Sequence, residues 1–152
     1  MFISPITAID NGWIKGIVNA QNQVQPNAID FTLDHLFTID SDKIIYISEN
    51  MKEMRGGEKV QPEHDVRLHA DFWRLDIQTY DGMSDIFVDL PEGVAAMTIV
   101  RSTFNRNGLF ITSGLYDSGY KGHIGFALHN RTGLTYISPG TRVGQIIFVE
   151  AG

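Results

Sequence analysis

Cysteine is missing altogether, which removes disulfides, iron–sulfur clusters and thiolate nucleophiles from consideration. The zinc nucleobase deaminases go with them, because their metal needs a cysteine pair beside a third ligand. No apolar run approaches the roughly 18 residues of a spanning helix, so no membrane role is expected. The first residues show neither the basic nor the apolar region of a secretory leader, and the cytoplasm is the expected compartment. Neither a Gly-x-x-x-x-Gly-Lys-Ser/Thr phosphate loop nor a Gly-x-Ser-x-Gly elbow occurs. His35, His64, His69, His123 and His129 fall at no metal-ligand spacing and read as ordinary surface or turn residues.

Cations are scarce over most of the chain. Residues 1–100 carry 7 Lys/Arg against 16 Asp/Glu, a net of −9, whereas residues 101–152 carry 5 against 2, a net of +3. An acidic chain that keeps its surplus cations in its last third is aiming them at an anion, and a phosphorylated small molecule is the expectation. The overall net charge of −6 argues against non-specific nucleic-acid binding, which needs a broad basic face.

What is present fits a soluble globular protein: 152 residues, 43% apolar and 20% charged, the size of a single domain spanning 1–152. Fifteen glycines, frequent turn dipeptides and few long amphipathic stretches predict a mainly β fold. Residues 6–18 place Ile6, Ile9, Trp13 and Ile17 at helical spacing, so one short N-terminal helix is expected. Strands are expected over 28–33, 36–39, 44–47, 72–79, 85–90, 94–100, 108–112, 123–129, 134–137 and 145–149. Short strands at about ten-residue spacing describe a sandwich, jelly roll or barrel. The polar stretch 49–65, broken by Gly56-Gly57 and Pro62, reads as an exposed excursion, and the acidic run in 81–92 as a solvated strand face.

Three segments of the basic third carry chemistry. Arg101-Ser102-Thr103 follows an apolar strand, where hydroxyls, amides and a guanidinium can converge on phosphate oxygens, with Arg106 as a second forked donor. A turn with surface arginines is the plainer alternative. Asp117 lies in the turn-rich Gly114-Leu115-Tyr116-Asp117-Ser118-Gly119-Tyr120, where a carboxylate can orient and deprotonate a water or simply cap its own turn. Tyr120 can stack on a base or fill the core. Pro139-Gly140-Thr141-Arg142-Val143-Gly144-Gln145 is a tight turn before the last apolar strand, with the Gln145 amide free to meet phosphate or base.

Taken in order, these segments resemble the motifs of the dUTPase and dCTP deaminase superfamily. Gln25-Pro26-Asn27-Ala28-Ile29-Asp30-Phe31 is similar to the first motif, with Asp30 in a structural role. Arg101-Ser102-Thr103 with Arg106 resembles the second in its deaminase-like form. Residues 114–120 resemble the third, which carries the water-activating aspartate of dUTPases, and residues 139–148 the fourth. The resemblance implies a distorted jelly roll or β-barrel of the dUTPase type, a homotrimer, and hydrolysis of dUTP to dUMP and pyrophosphate with Mg2+ held by the triphosphate and water. It implies Asp117 as the catalytic residue. Arg101, Ser102, Thr103, Arg106 and Gln145 would hold the triphosphate, Thr112 and the strand pair after it would read the base, and Tyr120 would lie against the sugar.

Two departures qualify the resemblance. Alignment of Gly122 to Asn130 with the strand that supplies the deaminase glutamate puts Ala127 at that position, and a methyl group cannot shuttle a proton. Past Phe148 only Val149-Glu150-Ala151-Gly152 follow, with no Gly-rich fifth motif to close over the phosphates, so closure would fall to another segment such as 49–65. A dCTP deaminase, or a bifunctional deaminase-dUTPase, is the alternative. A nucleotide-binding module without turnover is the second.

Overall fold

In the computed structural model, which describes residues 1–151, strands dominate because the sequence alternates apolar and polar residues over most of its length. The elements run β1 (Phe2–Ile3), α1 (Pro5–Asp10), β2 (Ile14–Lys15), α2 (Ala20–Gln23), β3 (Ile29–Leu33), β4 (His35–Thr38), β5 (Glu63–Asp65) and β6 (Ala70–Leu75). They continue with β7 (Thr79–Asp89), β8 (Val94–Val100), α3 (Ser102–Arg106), β9 (Leu109–Thr112), β10 (Lys121–Asn130), β11 (Thr135–Ile137) and β12 (Thr141–Glu150). Two main antiparallel sheets result. In the first, β12 is central, with β8 on one edge and β3 and β1 sharing the other. In the second, β7 pairs β10, β4 and β2, and β10 pairs β9. A small sheet, β11-β6-β5, stands beside them.

β7 shows how sequence sets this arrangement. Tyr80, Gly82, Ser84, Ile86 and Val88 are buried while Asp81, Met83 and Asp85 point outward, the period of two that a half-buried strand demands. β3 is buried at all five positions, as befits a strand sandwiched within the molecule. The inner faces meet through side chains such as Phe31 of β3 and Phe126 of β10, whose rings lie 5.4 Å apart. Each such fully buried large apolar side chain contributes roughly 1.5–3 kcal/mol relative to exposure.

The expected strands over 28–33, 36–39, 85–90, 94–100, 108–112, 123–129, 134–137 and 145–149 all have counterparts: 85–90 falls within the longer β7, β10 and β12 extend beyond expectation, and β3, β9 and β11 are slightly shorter. The helix is shorter than the 6–18 periodicity implies. Pro5 starts it and Gly12, at φ 73°, ends it, after which Ile14–Lys15 pairs with β7 instead. Residues 44–47 form no strand: Ile44 and Ile47 are exposed, with only an isolated bridge from Ile47 to Lys52. The expected 72–79 strand breaks after Leu75. There the buried Asn130 side chain donates to the Leu75 and Asp76 carbonyls, and the Tyr80 hydroxyl accepts the Asp76 amide. The segment after Val100 is a single helical turn rather than an open loop.

Candidate functional site

Two of the five cations in the last third, Arg101 and Arg142, converge on one carboxylate. Asp30 is 3% exposed, and a buried carboxylate has to be met by donors. Arg142 Nη1 donates to Oδ2 at 2.9 Å and Gln145 Nε2 to Oδ1 at 3.1 Å. Arg101 Nε lies 3.9 Å from Oδ2, and Gln25 Nε2 reaches the same oxygen at 3.5 Å. Arg142 also donates to the Asn22 carbonyl at 2.7 Å.

Arg142 and Gln145 are three apart, so in a regular strand they would face opposite sides. A β-bulge between Arg142 and Gly144 resets the register: Arg142 pairs with Thr32, Gly144 with Phe31 and Gln145 with Asp30. The extra residue turns both donors toward the same carboxylate. Gly144 is required here, because a Cβ would stand 2.5 Å from the Phe31 ring and 2.7 Å from the Ile99 carbonyl. Val143 uses its carbonyl to accept the Arg101 amide at 2.9 Å, which fixes the entry of α3.

The result is a polar recess of about 420 Å³ with Asp30 as its floor and Arg101, Ser102, Asn105, Arg142 and Gln145 around it. Both guanidiniums remain about a quarter to a third exposed, Arg101 at 27% and Arg142 at 30%, so each keeps donors for an incoming anion. Thr103 turns away to line a neighbouring cavity of about 720 Å³ beside Phe104 and Leu134. Arg106, in the last turn of α3, is exposed.

The remaining predicted residues stand elsewhere. Tyr116 is buried, pairs through its backbone with Ala96 of β8 and donates its hydroxyl to the Gly125 carbonyl at 3.0 Å. Asp117 follows it in a turn closed by Tyr120 N–H to the Asp117 carbonyl at 2.9 Å, with Gly119 at φ 85°. Ser118 ties that turn to β8 through the Val94 carbonyl at 3.1 Å. The Asp117 carboxylate is exposed, and among the described residues it enters neither a hydrogen bond nor an ion pair that would occupy it. Tyr120 braces the turn: its ring centroid lies 4.8 Å from that of Tyr116, and its hydroxyl donates to the His123 carbonyl at 2.7 Å. Burial pushes the Tyr120 phenol above its ordinary value.

Thr112 ends β9, with its hydroxyl 2.8 Å from His129 Nε2, while His129 Nδ1 lies 2.9 Å from the Thr79 hydroxyl. Phe110 stacks on the His129 ring at 4.6 Å. Neither this relay nor the Arg142–Asp30 pair was legible as a site feature, because each depends on cross-strand register.

The structure therefore gathers Arg101, Ser102 and Gln145 in one recess, holds Asp117 and Tyr120 together in one turn, and leaves Thr112 apart at the end of β9 beside His129. Gln145 pairs with Ile99 on one edge of β8, whereas Tyr116 pairs with Ala96 on the other. The recess and the turn are thus offset by about 10 Å along β8 and about 10 Å across it, from strand geometry. No cluster of three or more His, Asp or Glu side chains suited to a metal occurs among the described residues.

A probable deoxyuridine 5'-triphosphate nucleotidohydrolase of Methanococcoides burtonii is 25% identical over 89% of this chain and 77% of its own length. A dUMP-forming dCTP deaminase of Thermobifida fusca is 31% identical over 94% of this chain and 73% of its own. The fold matches that of the 2'-deoxycytidine 5'-triphosphate deaminase from Agrobacterium tumefaciens with a TM-score of 0.73 at 15% identity, over 99% of this chain and 48% of that one. The dCTP deaminase-like family model matches residues 6–151, nearly the whole sequence, and the chain belongs to that family.

Proposed function

We propose that the protein is a dUTP diphosphatase that cleaves dUTP to dUMP and pyrophosphate. The observation that carries this reading is the contrast between two positions. Asp117 keeps an unencumbered carboxylate on a rigid turn, whereas Ala127, at the position of the deaminase glutamate, has no group that can carry a proton. Asp117 takes a proton from a water whose oxygen bonds to the α-phosphorus. The bond from that phosphorus to the bridging oxygen breaks in line, and pyrophosphate leaves with the electron pair.

Arg101, Ser102 and Arg106 bind the triphosphate and stabilise its charge, with Thr103 at the edge of the same helical turn. Gln145 and Arg142, already bonded to Asp30, keep the floor of the recess rigid. Mg2+ carried in by the triphosphate would supply charge neutralisation on the phosphate oxygens, with Arg101, Ser102 and Arg106 holding the oxygens it leaves free. Thr112 and the strand backbone after it read the uracil edge, and Tyr120 fixes the turn beside the sugar.

A water activated at Asp117 has to lie against the phosphorus it attacks. The offset across β8 is too large for that within one chain, so we assign the working site to the interface of a homotrimer, with the phosphate recess of one subunit facing the Asp117 turn of another. The test is incubation with each deoxynucleoside triphosphate and Mg2+ and separation of the products. dUMP and pyrophosphate from dUTP, abolished by chelator, is the expected result. A second reading, conversion of dCTP to dUMP, is favoured by the resemblance to the Thermobifida fusca enzyme named for that reaction. Ammonia from dCTP would decide in its favour.

A further inference from the structure

Ala127 lies in a row that crosses four strands. Phe37 of β4 pairs with Asp81 of β7, Asp81 with Ala127 of β10, and Ala127 with Thr112 of β9. Cross-strand partners project from the same face. Thr112, the proposed base-reading residue, is therefore one strand from Ala127 and about 10 Å from Asp81. The small Ala127 side chain leaves the middle of this row open.

Residues 39–57 fold back over the gap. Gly57 sits so close to β4 that a Cβ there would stand 1.6 Å from the Thr38 carbonyl oxygen. Between this segment and the sheet is an open cleft of about 460 Å³, lined by Phe37, Ile45 and the largely exposed Ile47 and Met54 and reached by Asp81 and Ala127. That volume lies within the roughly 300–1,000 Å³ of small-molecule sites.

The charged groups at the rim are not equally available. Glu53 accepts the Tyr46 amide at 2.8 Å, and Arg55 donates to the Lys43 carbonyl. Asp81 has no ion pair among the described residues. Its side chain meets water at the cleft mouth, and its partial burial pushes the carboxyl above the ordinary range. A free carboxyl at the edge of an apolar cleft is a hydrogen-bond partner in search of a hydroxyl.

We propose that this cleft is a base-substituent pocket, which takes the C5 side chain of a pyrimidine deoxynucleoside triphosphate, a hydroxymethyl or larger polar-tipped group whose hydroxyl bonds Asp81. The inference rests on the reading that Thr112 and the strand after it face the base. With the Watson–Crick edge read by backbone and the sugar tied to the phosphates, C5 is the ring position left to point along the row toward Ala127 and Asp81. Plain uracil has only a hydrogen there and would leave the apolar walls against water.

The test compares equilibrium binding of α,β-imido analogues of 5-hydroxymethyl-dUTP, dTTP and dUTP, with hydrolysis of the parent nucleotides measured separately. The hydroxymethyl compound should bind about tenfold or more tighter than dUTP, in line with what one added group earns in a matched pocket. Ala127→Leu fills the gap and should bring that ratio toward one. Asp81→Ala keeps the space and should instead equalise the hydroxymethyl compound with dTTP, which carries a methyl at C5. If Ala127→Leu does not fold, Asp81→Ala alone decides. Equal affinities for all three nucleotides, or a preference that survives both variants, overturns the pocket. A preference erased by the variants in a protein that hydrolyses no nucleotide leaves the pocket standing and removes the hydrolase reading.

Discussion

Asp30 and Asp117 are both carboxylates, and their surroundings are opposite. Asp30 is buried among two guanidiniums and two amides, and three hydrogen bonds already occupy most of its roughly four acceptor sites. Asp30→Ala strands Arg142 and should lower stability by about 3 kcal/mol, the cost of breaking a partly buried pair from one side, read from urea denaturation. Asp117 is the reverse case, exposed on a turn whose backbone is held independently of its side chain. Asp117→Asn should therefore leave the melting temperature and nucleotide affinity nearly unchanged while kcat falls by roughly 100-fold or more. Full turnover in that variant removes Asp117 from the mechanism. At Ala127 the expectation is negative: no ammonia from dCTP at any enzyme concentration where dUTP is consumed, measured by a coupled ammonia assay.

At the level of elements, the bulge in β12 is the device that builds the polar recess above Asp30. Gly144→Ala places a methyl against the Phe31 ring and the Ile99 carbonyl, and the backbone oxygen cannot move aside cheaply. It should cost about 1–3 kcal/mol, as overpacking does, and should loosen nucleotide binding as Arg142 and Gln145 lose their common direction. Thermal denaturation with and without nucleotide separates the two effects. The bulge also marks the limit of what the sequence discloses. Strand positions such as β8 and β10 were legible because Val94–Val100 and Lys121–Asn130 carry dense apolar patterning. The pairing of Arg142 with Asp30 was not, since strict alternation sends Arg142 and Gln145 to opposite faces. The Thr79–His129–Thr112 relay was hidden for a related reason: three strands have to find register before those side chains meet. Residues 44–47 misled in the other direction, with strand-like composition but only the isolated Ile47–Lys52 bridge for pairing.

For the molecule as a whole, the proposed shared site makes oligomerisation a condition of the proposed activity. Light scattering should give three times the chain mass. Neither Asp117→Asn nor Arg106→Ala subunits alone should be active, but mixing them and allowing exchange should recover part of the rate, because some interfaces then hold both intact residues. A monomer that hydrolyses dUTP at full rate would contradict a shared site. β12 has a consequence of a different kind, for the order in which the chain is made. It supplies hydrogen bonds to β8 along one edge and to β3 and β1 along the other, yet it begins at Thr141. A ribosome that has released β3 and β8 has delivered two flanks of a sheet with no middle, and their open edges have to wait for it. Nascent chains halted before Thr141 should be protease-sensitive and prone to capture by chaperones, and resistance should appear in one step once β12 clears the exit tunnel.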